Sequence, residues 1–241
     1  WWDKKEYSST AYGTNLLKDM FGKLQVFSYP KSIYAVIDCI KVMTDKKDAV
    51  VLDFFAGSGT TGHAILELNK IDNGNRQFIL NTNNEGNICT EICYPRLEKV
   101  MRGYTNTKKL KISGIGGSLK YFKTDFVKKS VNKDELKIRI TKECTEMLCL
   151  RDNIFDEHKA TGDYRIFRNG NRFMGIYYSL EKTALEDLKR DMNKLDGNKI
   201  LYCFTLDPLG LDKTDFVGWD NTSLEPIPQK ILDIYEEIYE Y

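Results

Sequence analysis

The sequence predicts a parallel α/β domain over residues 1–112 followed by a smaller α+β module over residues 113–241. Three observations carry this expectation. The stretch "VLDFFAGSGTTGHAILELN" (51–69) sets an apolar strand, a glycine-rich turn and a helix end to end. Up to Tyr104, helix-like and strand-like segments alternate as they do in parallel α/β folds. Beyond residue 113 the rhythm changes to paired aromatic strands and amphipathic helices.

Each element has its own reason. In "SIYAVIDCIKVMT" (32–44), Ile33, Val36, Ile37, Ile40 and Val42 recur at mostly helical spacing. "AVVLDFF" (49–55) is a continuous apolar run, the pattern of a strand covered on both faces. A helix is expected from Thr60 to about Leu68, then a turn at "IDNGNR" and a second strand at "QFILN" (77–81). The second half of "EICYPRLEKVMRGY" (91–104) reads as helix, with Pro95 in its first turn. The glycine-rich, basic stretch from Tyr104 to "GIGGS" (114–118) reads as a boundary or loop.

In the second module, "KYFKTDFV" (120–127) suggests a strand and "KDELKIRITKECTEMLCL" (133–150) a helix. Two alternating runs flank "RNGN" in "YRIFRNGNRFMGIYYS" (164–179), a hairpin signal that suits a type I′ turn. "LEKTALEDLKRDMNKL" (180–195) reads as an amphipathic helix closed by Gly197, and "KILYCFTL" (199–206) as a strand. A last amphipathic helix over "LDIYEEIYEY" either packs on its own module or offers tyrosines to a partner.

Composition limits the functions open to such a chain. With 41% hydrophobic residues in 241, it can bury a proper core. Its 36 Lys and Arg against 35 Asp and Glu leave a net charge of +1, so any nucleic-acid surface must be local. "KKLK" and "KYFK" (108–123) mix basic and aromatic residues and suit either a phosphate backbone or a solvated loop. Cys39, Cys89, Cys93, Cys144, Cys149 and Cys203 are scattered, which points to reduced thiols in a cytoplasmic protein and to no metal site. Neither a long apolar run nor a signal peptide is apparent, and a start at Trp1 suggests further sequence upstream.

The glycine turn itself narrows the chemistry. A strand ending in Asp53 and a helix starting after Gly59 place Gly57 and Gly59 where the backbone turns sharply and a ligand can approach closely. Ser58 or Thr60 can cap the helix. The phosphate-binding loop needs a Gly-Lys-Ser/Thr ending, which is missing here. Gly57, Gly59 and Gly62 do fit the spacing of a dinucleotide fingerprint, so an NAD- or FAD-dependent oxidoreductase stays open, although Asn81 stands where that fold wants an acid. His63 reads as a surface or core histidine rather than a catalytic one.

"DFFAGSGTT" (53–61) resembles the cofactor motif of amino-methylating DNA methyltransferases, Asp-Pro-Phe-x-Gly-Ser-Gly-Thr-Thr, and "VFSYPKS" (26–32) resembles its partner motif, usually ending Pro-Lys-Pro. Together with "GNRQFILN", "ICYPRLEKV", "LKYFKTDFV" and "TEMLCLRDNIF", the chain is similar to the C-terminal part of the modification subunit of type III restriction systems. The resemblance implies a Rossmann-like methyltransferase domain that uses S-adenosyl-L-methionine to methylate adenine N6 in double-stranded DNA, paired as a dimer and with a helicase-nuclease restriction subunit. Phe27, Tyr29, Pro30 and Lys31 would then line the methionine side of the cofactor. Asp53, Phe55, Ala56, Gly57, Ser58 and Gly59 would form the turn around it, with Asp53 near its amino group. Thr60 and Thr61 would orient its methionyl end, and Glu85 would meet the ribose. Ser32 and Phe54 depart from the family's prolines.

Catalysis in this family needs an Asp/Asn-Pro-Pro-aromatic tetrapeptide that holds the amine of an extruded base in line with the transferred methyl. No such tetrapeptide occurs in the chain. The nearest string, "DPLG" (207–210), lacks the second proline and the aromatic and reads as a turn. No catalytic residue is therefore assigned, and the fragment alone is expected to be inactive. A non-catalytic assembly module, with the turn as a relic, is the remaining alternative.

Overall fold

The computed structural model describes residues 3–22, 27–124, 127–128, 132–179, 184–204, 213–225, 227, 231 and 233. It divides into two compact units, Trp1–Lys123 and Thr124–Tyr241. The division falls later than residue 112 because the glycine-rich stretch belongs to the first unit: Ile115 and Leu119 pack against its core.

The first unit is mixed α/β. A π-helical turn, Thr10–Thr14, runs into α1 (Asn15–Phe21), which ends at Gly22 in the left-handed conformation. α2 (Ile33–Met43) follows, capped by Ser32, whose hydroxyl accepts from the Tyr34 amide at 3.2 Å and donates to the Glu6 carbonyl at 2.6 Å. β1 (Val50–Asp53) and β2 (Gln77–Leu80) pair in parallel, Val50 opposite Gln77 and Asp53 opposite Leu80. The crossover is α3 (Thr60–Asp72). Its return is fixed by Arg76, which bonds Asp72 at 2.8 Å while the Asn69 side chain bridges the Arg76 backbone. α4 (Tyr94–Arg102) carries Pro95 in its first turn, where a missing N–H costs nothing. It leads into an antiparallel hairpin of β3 (Gly103–Thr105) and β4 (Lys111–Ser113), in the stretch expected to be a loop.

α3 is the hub. Ala64, Ile65 and Leu68 meet Ile37 and Ile40 of α2, and Leu66 faces Leu97 and Val100 of α4 together with Leu17 and Met20 of α1. A helix flanked on two sides buries both: seven of its thirteen residues are buried, of which Ala64, Ile65, Leu66 and Leu68 supply the apolar contacts. β1 departs from expectation. Val51 packs toward α2 and α3, but Val50 and Leu52 are 58% and 50% exposed, so the run is covered on one face only. An apolar run reports burial-prone residues and does not count the layers available to cover them.

The second unit holds a five-stranded sheet, β5 (Asp156–Ala160), β6 (Tyr164–Asn169), β7 (Arg172–Tyr177), β8 (Asn198–Cys203) and β9 (Thr222–Leu224), in that spatial order. The first three run antiparallel, and β7–β8 and β8–β9 pair in parallel. α7 (Leu185–Asn193) covers one face through Leu185, Leu188 and Met192. On the other face, α5 (Lys133–Glu143) and α6 (Thr145–Asp152) contribute Ile140, Leu148 and Cys149. The single helix expected over 133–150 is thus two, interrupted at Cys144. No strand forms over 120–124, and the rest of "KYFKTDFV" is only partly among the described residues.

The hairpin is present, but its central residues are Gly170 and Asn171, inside the Asn169–Arg172 pair. Gly170 has φ 61 and Asn171 does not join the residues of positive φ, so the turn lacks the two left-handed residues of type I′. β5 and β9 had no alternating apolar signal, since as short edge strands they carry polar residues such as "DEHKA". "DPLG" and "LDIYEEIYEY" fall outside the described residues or nearly so, as do residues 180–183.

Candidate functional site

The glycine turn lies at the C-terminal end of β1, beside the exit of β2. The Asn81 amide donates to the Asp53 carbonyl at 2.8 Å and the Ala56 amide to the Asn81 carbonyl at 3.1 Å, so pairing continues past both strands into the turn. Asp53 organises the loop with its carboxylate. One oxygen accepts from the Phe55 amide at 3.0 Å and the other from the Thr61 hydroxyl at 2.6 Å, tying the strand end to the first turn of α3.

The two glycines of the turn are required for different reasons. Gly57 and Gly59 have φ of 51° and 76°, values that strain any residue with a Cβ. At Gly59 a Cβ would also lie 2.9 Å from the Cys93 sulfur. At Gly57 it would rest 3.4 Å from the Phe27 ring, an ordinary contact. Gly62 serves packing: a Cβ there would sit 2.9 Å from a Leu97 methyl and 3.0 Å from a Leu80 methyl. The third glycine that makes the spacing look like a dinucleotide fingerprint thus lets α3 approach α4 and β2.

Ser58 and Thr60 do not cap α3. Its N-cap is Gly59, with no side-chain bond, and both hydroxyls point instead to Arg96. Arg96, from the first turn of α4, is completely buried. Its Nη1 donates to the Ser58 carbonyl at 3.2 Å, the Ser58 hydroxyl at 3.2 Å and the Thr60 hydroxyl at 3.0 Å, and its Nε to His63 Nδ1 at 3.3 Å. His63 Nε2 lies 3.7 Å from Glu67 Oε1. Because Nδ1 accepts, the imidazole is neutral with its proton on Nε2. Burial, together with the Arg96 charge, holds the His63 pKa below its ordinary value against the pull of Glu67. Burial also lowers Arg96, to about 10. His63 is therefore a core histidine, and Cys93, pushed up to about 11 by burial, is an inert thiol under Gly59.

The other expected site residues fall into two groups. Phe27 packs against the core of the first unit at Gly57, Ala56 is buried, and Pro30 is buried with its carbonyl 2.5 Å from where a Gly13 Cβ would stand. Tyr29 and Phe55 are 82% and 92% exposed, and Lys31 is exposed. Glu85 is an exposed residue of the helical turn Glu85–Asn87, with Asn83 Nδ2 at 3.4 Å from its carboxylate. Asn84 beside it accepts from the Cys89 and Thr90 amides, both at 3.1 Å, in the first turn of the next helical segment. Ser32 replaces the expected proline as the cap of α2.

Sequence reading missed Arg96. The signal was a charged residue on the buried stripe of α4, next to Leu97 and a turn before Val100. It also missed the Asp53–Thr61 bond, whose partners stand eight residues apart.

Comparison with known proteins falls on this same region. Residues 1–102 match the model of the N6/N4 DNA methylase family. The chain is similar to the Mod subunit of the type III restriction-modification enzyme EcoPI of Escherichia phage P1, 49% identical over 78 residues, which are 32% of this chain and 12% of that subunit. The StyLTI Mod subunit of Salmonella typhimurium is 48% identical over 82 residues, 34% of this chain and 12% of the relative. The type II methyltransferase M.KpnI of Klebsiella pneumoniae is 43% identical over 94 residues, 39% of this chain and 22% of the relative. The match thus spans between 12% and 22% of the length of these relatives. The motifs read as a type III modification subunit find relatives of that kind.

Proposed function

We propose that this chain is the S-adenosyl-L-methionine-binding, C-terminal portion of a site-specific DNA adenine-N6 methyltransferase of a type III restriction-modification system. The observation that carries the reading is the turn itself: glycines of positive φ at the end of a parallel strand, braced by Asp53 on Thr61, within the segment that matches DNA methylases. A position just outside the carboxyl ends of parallel strands is where open α/β sheets hold ligands. The residues present fit the cofactor. Gly57 and Gly59 keep the backbone free of side chains, the first amides of α3 are uncommitted to the helix, and exposed Tyr29 and Phe55 offer aromatic faces of the kind that attract a sulfonium.

When bound, the cofactor supplies an activated methyl and its own leaving group. In this reading Asp53 holds the amino group, the Gly57–Gly59 backbone and Thr60 and Thr61 hold the methionyl end, and Phe27, Pro30 and Lys31 form the facing wall. Glu85 meets the ribose, since Asn81 offers no acid at the end of β2. No catalytic residue is assigned, because the chain contains no Pro-Pro-aromatic tetrapeptide. Methyl transfer, the DNA target, pairing with a second copy and with a restriction subunit, and a cytoplasmic location belong to the complete protein. Among the described residues no helix is long and apolar enough to cross a membrane.

Calorimetric titration tests the reading. Saturable binding of S-adenosyl-L-methionine but not NAD, lost in Gly57→Trp, is the expected result. Binding of NAD alone would restore the oxidoreductase alternative, and heat from neither ligand would reduce the turn to a relic of an assembly module.

A further inference from the structure

A cation lies beneath the turn. Arg96 is fully buried, yet its four bonds go to a carbonyl, two hydroxyls and a neutral imidazole, none of which carries a charge. Glu67 is the nearest offset in this chain of contacts, one imidazole away and partly exposed. Arg96 Nη2 is buried and has no hydrogen-bond partner among the described residues. A buried guanidinium without a directly bonded carboxylate is costly, and a structural role alone would be served as well by apolar packing. What the cation gains here is its position. Its Nη1 grips Ser58 and Thr60, the residues on either side of the N-cap of α3, so the charge stands directly behind the helix N-terminus. The uncommitted amides of that first turn and the positive end of the helix dipole favour an anion at the same place.

We propose that Arg96 is a positioning residue that makes this turn selective for the carboxylate of its ligand, by freezing Ser58 and Thr60 and lending its charge to the N-terminus of α3. The inference rests on the cofactor reading and adds to it. It assigns recognition of one functional group, the methionyl carboxylate, to a residue that touches the loop rather than the ligand. The interior lies in a low-dielectric setting, where a charge is weakly screened and acts through the loop it holds.

The test compares S-adenosyl-L-methionine with its decarboxylated analogue, which keeps the sulfonium and the amine and lacks only the carboxylate. In the unsubstituted chain the ratio of the two dissociation constants measures carboxylate selectivity. Arg96→Met, similar in length and neutral, is expected to reduce that ratio by about tenfold, on the scale of losing a charge-assisted interaction. Arg96→Lys, which keeps charge and loses the fork, retains most of it. Equal weakening of both ligands in Arg96→Met would show a merely structural residue and overturn the proposal. Should Arg96→Met fail to fold by circular dichroism, Glu67→Gln decides. It leaves the bonds to Ser58 and Thr60 in place and removes the offsetting charge, so the ratio should rise about two- to threefold, and an unchanged ratio would overturn the inference. Failure of the unsubstituted chain to bind either ligand would instead sink the cofactor reading itself.

Discussion

The parallel pair of the first unit and the five-stranded sheet of the second are finished differently. In the second unit β7 is covered on both faces: Met174 and Ile176 are fully buried under α5 and α6, and Ile166, Tyr177 and Leu201 are equally enclosed beneath α7. In the first unit the parallel pair is covered by α2 and α3 on one face, while Val50, Leu52 and Ile79 stand 58%, 50% and 42% exposed on the other. The same class of β-favouring apolar residue is structural in one sheet and uncovered in the other. The comparison teaches that the geometry of a site need not coincide with the best-packed region of a chain. Here the turn sits on the sparser sheet, and its order comes from polar bonds around Asp53 and Arg96 rather than from burial of the strand.

That contrast can be broken most forcefully in the second unit. Met174→Ala empties a fully buried position and should cost about 2–5 kcal/mol. Urea unfolding should show the loss, while affinity for S-adenosyl-L-methionine stays within twofold under native conditions, on the order of 0.4 kcal/mol. A matched loss of affinity would mean that the two units are energetically one.

The next effect belongs to the turn. Gly59→Ala meets both a positive φ and the Cys93 sulfur and should cost about 1–3 kcal/mol. Gly57→Ala meets strain without a clash and should cost less. Adding Cys93→Ala to Gly59→Ala should recover part of the loss, and strict additivity in thermal denaturation would remove the steric explanation.

Acid should sharpen the comparison further. His63 is held below its ordinary value of 6.5, so the unfolded chain takes up the proton first. Its contribution is fully present above that value and is lost as pH falls through its lower folded value. The denaturation midpoint of the first unit should therefore fall between pH 7 and pH 5, and His63→Gln should flatten this dependence. An identical slope in the variant would exclude His63 as its source.

The smallest effect is expected on the open face. Leu52→Thr should change stability by no more than about 0.5 kcal/mol, since half of the side chain already meets water. Self-association at high concentration, followed by light scattering, should decrease. A loss above about 2 kcal/mol would show that the face is covered in solution.

Much of this was legible in residue order. Ile33, Ile37 and Ile40 announced α2, and the run before Asp53 announced β1. Pro95 fixed the first turn of α4, and "RNGN" marked the hairpin, though not its turn type. Edge strands were silent because their residues are polar on both faces, and Cys144 breaks a pattern that reads as one helix. At the site, Gly57, Gly59 and Asp53 could be named from a local motif. The order of Ser58 and Thr60 could not, because it depends on Arg96, 36 residues after Thr60.

Local chemistry, then, was determined by the sequence alone: which segments turn, which carry the apolar period of a helix, and which glycines admit a sharp strand-to-helix bend. Those properties depend on neighbours within a few residues, through φ preference and the period of apolar side chains. The tertiary structure decided that a guanidinium lies behind the turn, that Gly62 serves packing, and that β1 is covered on one face. Each of these is a contact between elements distant in the chain. Burial and the fate of a charge depend on everything that closes around them.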